Sequence, residues 1–249
     1  MALLRTDNIS VSFDNRRVIE NISIELNKGE LVSLLGVSGS GKTTLFNVVS
    51  GLLKPDTGSV IFKDEDITGK PGHISYMLQK DLLLPYKTII DNVSLPLTVK
   101  GMGKRAAREK VKPYFEEFGI AGAEKKYPCQ LSGGMRQRAA LLRTYMFSHD
   151  VALLDEPFSA LDTITKSSMH KWYISIMEQI RLSTLFITHD IDEAILLSDR
   201  IYILGGTPGH ITDEIIIDKG DVRNPLLPVS ESFLRYKKAI INAIGDTDK

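Results

Sequence analysis

The sequence has few of the features that mark secreted, membrane-spanning or nucleic-acid-binding chains. Its 249 residues contain one cysteine, Cys129, so no intrachain disulfide can form and a reducing compartment such as the cytosol is expected. Its 31 lysines and arginines equal its 31 aspartates and glutamates, which leaves no net field to attract nucleic acid or an anionic membrane. No stretch approaches the roughly 18 to 20 unbroken apolar residues of a spanning helix, and no export signal is visible. We therefore expect the chain to reach a membrane only by docking onto another protein.

What the sequence does contain predicts an α/β fold. Alternating apolar and polar residues over the first 30 positions, and again at Val60–Asp64, indicate antiparallel strands. Short continuous apolar runs indicate strands buried on both faces of a mostly parallel sheet, and they lie at Leu31–Leu35, Val151–Leu154, Leu185–Thr188 and Ile201–Leu204. A further strand is expected over Ile211–Asp218. Helices are expected over Thr44–Leu53, Lys104–Phe118, Arg136–Phe147 and Thr163–Ile180.

The chain is expected to form one domain with a helical insertion. No internal repeat or linker composition is visible. We place this domain at residues 1–228, with the insertion at about 81–148, and a helical tail at 229–249. In the tail, apolar residues recur roughly on one helical face, at Phe233, Tyr236, Ile240 and Ile244.

Residues 36–43 read GVSGSGKT, and we call them the phosphate loop. They match G-x-x-x-x-G-K-[ST] between a buried strand and a helix, the context in which backbone N–H groups surround a β-phosphate. A chance match arises about once in a hundred chains of this length. Lys42 is expected to bridge the β- and γ-phosphate oxygens, and Thr43 to offer its hydroxyl to Mg²⁺. The predicted ATP-binding residues are Gly36, Val37, Ser38, Gly39, Ser40, Gly41, Lys42, Thr43 and Thr44.

Polar side chains follow two of the predicted buried strands. Asp155 and Glu156 come directly after Val151–Leu154, at the edge of a parallel sheet where ligands bind. Asp155 is expected to hold Mg²⁺, and Glu156 to orient or deprotonate the attacking water. His189 follows Thr184–Thr188 and could hydrogen-bond the γ-phosphate or this water. The remaining histidines are expected to be structural or solvated.

Residues 131–135, LSGGM, form a second glycine-rich segment before a predicted helix, and we call them the signature segment. A helix N-terminus of this kind also favours anions. Because one ATP cannot easily use both segments of one subunit, we expect two copies to face one another. Each signature segment would then cap the nucleotide bound by the other copy.

The ordered set of motifs resembles the ATP-binding subunit of ABC transporters over nearly the whole chain. The resemblance implies a P-loop ATPase core that hydrolyses ATP with Mg²⁺ and works as a homodimer. It also implies contact with integral membrane permease subunits on the cytoplasmic face of a bacterial membrane, an indirect link to a solute-binding protein, and no nucleic acid. Leu82–Tyr86 is expected to form a cleft that receives a permease helix.

The same resemblance assigns roles to further residues. Phe13 would stack on adenine, Gln79 would contact Mg²⁺ and sense the permease, and Asp162 would line the dimer interface. Glu156 and His189 match the catalytic acid and the switch histidine. The residues matched to the nucleotide of the second subunit are Ser132, Gly133 and Gly134.

A narrower resemblance, to the nitrate, sulfonate and taurine import group, rests on four features. These are Leu82–Tyr86, Asp91–Val93, the SGGMRQR run at 132–138, and Pro208-Gly209. It implies import of a small solute, and nitrate, sulfonates and a thiamine-precursor pyrimidine all stay open.

Two alternatives belong to other classes. A P-loop small-molecule kinase needs GVSGSGKT but has no use for LSGGM or Asp162. A non-transport ABC ATPase commonly shows two ATPase units in one chain, a long coiled-coil insertion or a basic surface, none of which the sequence shows.

Overall fold

The computed structural model describes residues 2–218 and 230–245. The chain divides into two compact units, Met1–Ile74 with Ser183–Lys249 as the first and Ser75–Leu182 as the second. The predicted boundary between residues 228 and 229 lies outside the described residues, as do residues 246–249 of the predicted tail. The predicted domain bounds therefore stay a prediction.

The described residues contain ten strands, namely β1 (Leu4–Phe13), β2 (Arg16–Leu26), β3 (Leu31–Gly36), β4 (Thr57–Phe62), β5 (Glu65–Asp66), β6 (Ser75–Met77), β7 (Val151–Asp155), β8 (Ser183–Thr188), β9 (Arg200–Gly205) and β10 (His210–Ile216). They also contain nine α-helices, namely α1 (Lys42–Val49), α2 (Ile89–Val93), α3 (Leu95–Val99), α4 (Lys104–Val111), α5 (Pro113–Glu117), α6 (Gly133–Phe147), α7 (Thr163–Ile180), α8 (Ile191–Leu197) and α9 (Glu231–Gly245). Within these residues, no helix combines the length and apolar character that crossing a bilayer requires.

The first unit begins with the predicted antiparallel sheet, in the order β2-β1-β4-β5. Asp14 and Asn15 form the β1–β2 turn with φ of 49° and 61°, as a two-residue hairpin with both central residues at positive φ requires. This turn leaves Phe13 at the hairpin tip with 48% of its surface exposed. The strand predicted at Val60–Asp64 is β4, which ends at Phe62 because the next two residues turn with positive φ.

The same unit holds four strands in the order β10-β9-β3-β8. Strands β3, β8 and β9 are parallel, and β10 runs antiparallel to β9. Every residue of β3 and of β8 is buried, which explains why both strands are mostly apolar. The strand predicted over Ile211–Asp218 is β10, which ends earlier, at Ile216.

Helix α9 confirms the predicted apolar face of the tail. Phe233 and Ile240 are buried in a cluster with residues of β3, β9 and α8, and Tyr236 and Ile244 pack against this cluster. Lys237 adds an ion pair of 2.6 Å to Asp192 of α8.

The second unit contains the parallel pair β6 and β7 together with helices α2 to α7. The helix predicted at Thr163–Ile180 is confirmed. The single helix predicted over Lys104–Phe118 is wrong, since the structure has α4 and α5 there. Pro113 opens α5, because its nitrogen has no hydrogen to continue the helix from α4.

Two helix starts differ from the prediction by a few residues. Helix α1 begins at Lys42 and ends at Val49, rather than spanning Thr44–Leu53. Helix α6 begins at Gly133 rather than Arg136, so both glycines of the signature segment lie in its first turn. The predicted α/β class is confirmed, with an antiparallel N-terminal sheet, parallel strands and inserted helices.

Candidate functional site

The phosphate loop joins β3 to α1 in the first unit. Two of its three glycines are required by the backbone, because Gly39 has φ of 81° and Gly41 has φ of 97°, a region that other residues rarely adopt. Gly41 is also required by packing, since a Cβ there would lie 2.2 Å from Cγ2 of Ile19. The loop and the start of α1 are therefore shaped by their own unit.

Lys42 lies at the first position of α1 with only 7% of its surface exposed. Its Nζ donates to the carbonyl oxygens of Gly36, at 2.9 Å, and Val37, at 2.7 Å. These contacts hold a cation at the helix N-terminus, where no acidic residue of the first turn of α1 neutralises it, so both the ammonium and the helix dipole favour an anion here. The neighbouring Thr43 is exposed. Both residues therefore lie in the first turn of α1, directly after the glycines of the phosphate loop.

His189 lies in the first unit, exposed between β8 and α8. The backbone around it is fixed by hydrogen bonds. The hydroxyl of Thr188 donates to the carboxylate of the buried Glu193 and accepts from the N–H of Asp190 at 3.0 Å. The carboxylate of Asp190 caps α8 by accepting from the N–H of Glu193 at 3.1 Å. Sequence reasoning missed these supports, although Asp and Glu three residues apart are a signal for a helix start.

Asp155 is the last residue of β7 in the second unit and is 8% exposed. The hydroxyl of Tyr76, which sequence reasoning did not single out, donates to Oδ2 of Asp155 at 3.4 Å. Burial raises the pKa of Tyr76, and the charge of Asp155 raises it further, so the phenol stays protonated and can donate. A buried carboxylate requires partners of this kind or a cation.

Glu156 follows on a strained turn. Its φ is 45°, which is unusual for a residue with a side chain and concentrates at functional sites. The N–H and hydroxyl of Ser159 donate to its carbonyl oxygen at 3.2 and 3.0 Å and stabilise the turn. The side-chain amide of Gln79 donates to Oε2 of Glu156 at 3.0 Å. The structure thus brings together two of the residues predicted to arrange the attacking water.

Ser132 and Asp162 each cap a helix of the second unit. Oγ of Ser132 accepts from the N–H of Met135 at 3.4 Å at the start of α6. The carboxylate of Asp162 accepts from the N–H of Thr165 at 3.0 Å at the start of α7. Hydrogen bonding from Thr165 lowers the pKa of Asp162 and so favours its ionised carboxylate. Both residues keep exposed surface.

The segment 81–88, which we call the loop 81–88, is tied to α6 by two arginines. Arg143 donates to the carbonyl oxygens of Leu82, at 2.7 Å, and Asp81, at 2.5 Å. Arg136 donates to Oδ2 of Asp81 at 3.2 Å. These bonds hold Leu82 at a φ of 43°, with 51% of its surface exposed. The buried Asn92 of α2 anchors the rest of the loop.

Asn92 uses both ends of its amide. Its Oδ1 accepts from the N–H of Leu84 at 2.7 Å, and its Nδ2 lies 3.1 Å from each of the carbonyl oxygens of Leu84, Lys87 and Thr88. Tyr86 at the turn of this loop is 73% exposed. The loop 81–88 therefore presents apolar side chains on a backbone that is held in place.

Comparisons with known proteins agree with this geometry. The family model described as ABC transporter matches residues 19–159. The formylaminopyrimidine import ATP-binding protein ThiZ of Halalkalibacterium halodurans is 44% identical over 86% of this chain and 84% of its own. The aliphatic sulfonates import ATP-binding protein SsuB of Bacillus cereus is 38% identical over 90% of this chain and 87% of its own.

A solved structure extends the comparison to three dimensions. The ATP-binding cassette MJ0796, in a dimeric post-hydrolysis state bound to ADP and Pi, superposes with a TM-score of 0.72 at 26% identity. The match covers 86% of this chain and 99% of that one. This chain therefore belongs to the ABC transporter family, as an ATP-binding protein. It is an ABC-type ATPase coupled to transport, and the kinase alternative is left without support.

Proposed function

We propose that two copies of this chain close over ATP, hydrolyse it, and so power import of a small solute through a separate membrane permease. The surroundings of the two glycines in the signature segment are the observation that supports dimer formation. A Cβ at Gly133 would meet only Cδ2 of Leu161, at 3.4 Å, and one at Gly134 would meet its nearest atoms at 3.5 Å. Both are ordinary contact distances, so the subunit itself does not require these glycines. In this proposal, they instead allow the nucleotide of a facing copy to approach closely.

In this proposal the first unit binds the nucleotide. Lys42 and the N–H groups of the phosphate loop hold the β- and γ-phosphates, because an ammonium and a helix N-terminus both attract anions. Phe13, exposed at its hairpin tip, stacks on adenine. The charged nucleotide oxygens replace the loop carbonyls as the acceptors of Lys42.

Three of the predicted residues have side chains whose chemistry suits Mg²⁺. The hydroxyl of Thr43, the carboxylate of Asp155 and the amide oxygen of Gln79 offer the oxygen donors that this hard cation prefers. Asp155 is buried and charged, which a bound cation would stabilise. When bound, Mg²⁺ offsets the negative charge of the transferred phosphate.

Hydrolysis in this proposal depends on Glu156 and His189. The strained turn and the bond from Gln79 fix the Glu156 carboxylate, so it can orient a water molecule without reorganising. Gln79 is two residues from the loop 81–88, so movement of that loop alters the position of Glu156. The nucleotide bound by the facing copy is contacted by Ser132, Gly133 and Gly134, and Asp162 lines the interface with that copy.

The exposed apolar residues of the loop 81–88 support docking to a permease. Leu82 and Tyr86 lie on a backbone fixed by Arg143 and Asn92, so they are poised to receive a partner at little entropic cost. We place the chain on the cytoplasmic face of the membrane through this contact. The import function of ThiZ and SsuB supports the direction of transport. Because ThiZ and SsuB are named for different solutes, the solute of this system is to be identified by ligand binding to its associated solute-binding protein.

The proposal is tested with the Glu156→Gln variant of the whole chain. We expect it to bind MgATP, to hydrolyse it about a hundredfold or more slowly, and to shift from monomer to dimer in light scattering. Adding Ser132→Arg should abolish the dimer but keep ATP binding, whereas adding Gly103→Ala, which faces open space, should leave the dimer intact. A Glu156→Gln protein that saturates with ATP and stays monomeric would contradict the proposal.

A further inference from the structure

The turn between β9 and β10 is held against β2 by backbone hydrogen bonds. Gly209 in this turn is buried and forms a parallel bridge with Ile19. Its N–H donates to the carbonyl oxygen of Val18 at 2.8 Å, and its carbonyl oxygen accepts from the N–H of Glu20 at 2.9 Å. The position of residue 209 relative to β2 is therefore fixed on both sides.

Gly209 also lies too close to the phosphate loop for any side chain. A Cβ there would be 2.1 Å from the carbonyl oxygen of Ser40 and 3.2 Å from its carbonyl carbon. Its φ lies outside the left-handed region, so the backbone conformation is open to any residue. The close approach to Ser40, rather than an unusual turn, is what demands glycine here.

The contact between Gly209 and the Ser40 carbonyl affects the peptide group between Ser40 and Gly41, whose N–H can bind phosphate. The carbonyl of Ser40 and the N–H of Gly41 are the two ends of one planar trans peptide, so they point in opposite directions. A carbonyl held against Gly209 therefore directs the Gly41 N–H the other way. Gly41 packs closely against Cγ2 of Ile19, which is the bridge partner of Gly209. This peptide unit is enclosed by two residues that are themselves paired.

We propose that Gly209 is a positioning residue for nucleotide binding, because it receives the Ser40 carbonyl and so sets the direction of the Gly41 N–H toward a phosphate. The inference rests on the proposed function only in that the phosphate loop binds nucleotide. Dimer formation and permease docking do not enter it. It gives a physical role to the glycine of Pro208-Gly209, a pair that the sequence linked to function only by resemblance.

The test is the affinity of the Gly209→Ala protein for MgADP and MgATP, measured by calorimetry below its unfolding temperature. We expect the Kd to rise about tenfold to a hundredfold, the loss of one hydrogen bond to a charged group. Two controls should keep the wild-type Kd. His210→Ala removes an exposed ring at the start of β10 that contacts the Pro208 carbonyl, and Gly103→Ala adds a methyl in open space.

A lowered unfolding temperature with an unchanged Kd would overturn the inference, because that is the result of a purely structural role. A wild-type protein that binds ADP but never dimerises would contradict the proposed function and leave this inference standing.

A second measurement does not depend on the variant folding. In a crystal structure of the wild-type protein with MgADP, the Ser40 carbonyl should still lie against Gly209 and the Gly41 N–H should donate to a phosphate oxygen. A rotated peptide between residues 40 and 41, or a Gly41 N–H directed away from the phosphate, would overturn the inference.

Discussion

Helices α1 and α6 both begin at a glycine-rich segment, but the glycines of the two segments have different surroundings. At α1, Gly41 has a left-handed backbone and lies against Ile19, so the subunit's own structure demands glycine. At α6, Gly133 and Gly134 lie in the first helical turn, with ordinary contact distances around an added Cβ. The subunit's own structure thus explains Gly41 but not Gly133 or Gly134, as expected if these two glycines serve the nucleotide of a second copy.

The largest effect in this comparison is expected for Gly41→Ala. A methyl group here meets both a strained backbone and a close contact, so the free energy of unfolding should fall by about 2 to 5 kcal/mol. Nucleotide binding should be lost together with this stability. Urea denaturation and calorimetry with MgATP measure the two effects. A stable Gly41→Ala protein with wild-type affinity would show that the phosphate loop does not require its glycine.

An effect of a different kind is expected for Gly133→Ala. Because alanine favours helix, the free energy of unfolding should stay the same or rise by up to about 1 kcal/mol. Nucleotide binding to the monomer should not change. Hydrolysis should fall by about a hundredfold, since the added methyl displaces the facing nucleotide. A loss of stability comparable with that of Gly41→Ala would remove the distinction between the two segments.

The smallest effect on nucleotide binding is expected for Arg143→Gln. Arg143 links α6 to the loop 81–88, so its loss should increase amide hydrogen exchange in that loop and leave the Kd for ATP unchanged. Arg138→Gln is the matched control on the same helix, because Arg138 instead stacks on Trp172 and donates to the Gly119 carbonyl at 3.1 Å. Equal protection of the loop in both variants would contradict the role of Arg143.

The sequence predicted the fold where local patterns decide it. The buried strands β3, β7, β8 and β9 were visible as apolar runs, and the phosphate loop was visible as a motif. The break between α4 and α5 could have been predicted from Pro113. The start of α6 was placed too late because glycine is a poor helix former, although Ser132 is a common capping residue.

Other features of the site could not be read from one sequence. The bond between Gln79 and Glu156 joins residues that are 77 positions apart, and the left-handed backbone of Glu156 follows from its surroundings rather than from its residue type. The same is true of Gly209, whose role depends on how close its turn comes to Ser40. Sequence motifs therefore identify the functional residues, whereas packing between distant segments of the chain determines their orientation.

The central claim, that the signature segment serves the nucleotide of a second copy, is tested most directly by mixing two variants in the Glu156→Gln background. Lys42→Ala removes ATP binding by the phosphate loop, and Ser132→Arg removes the signature segment, so each variant alone should stay monomeric with MgATP. In the mixture, the intact phosphate loop of one copy can meet the intact signature segment of the other. We predict a dimer that retains a single labelled ATP. A mixture that stays monomeric, although the Ser132→Arg copy is saturated with ATP, would contradict the claim.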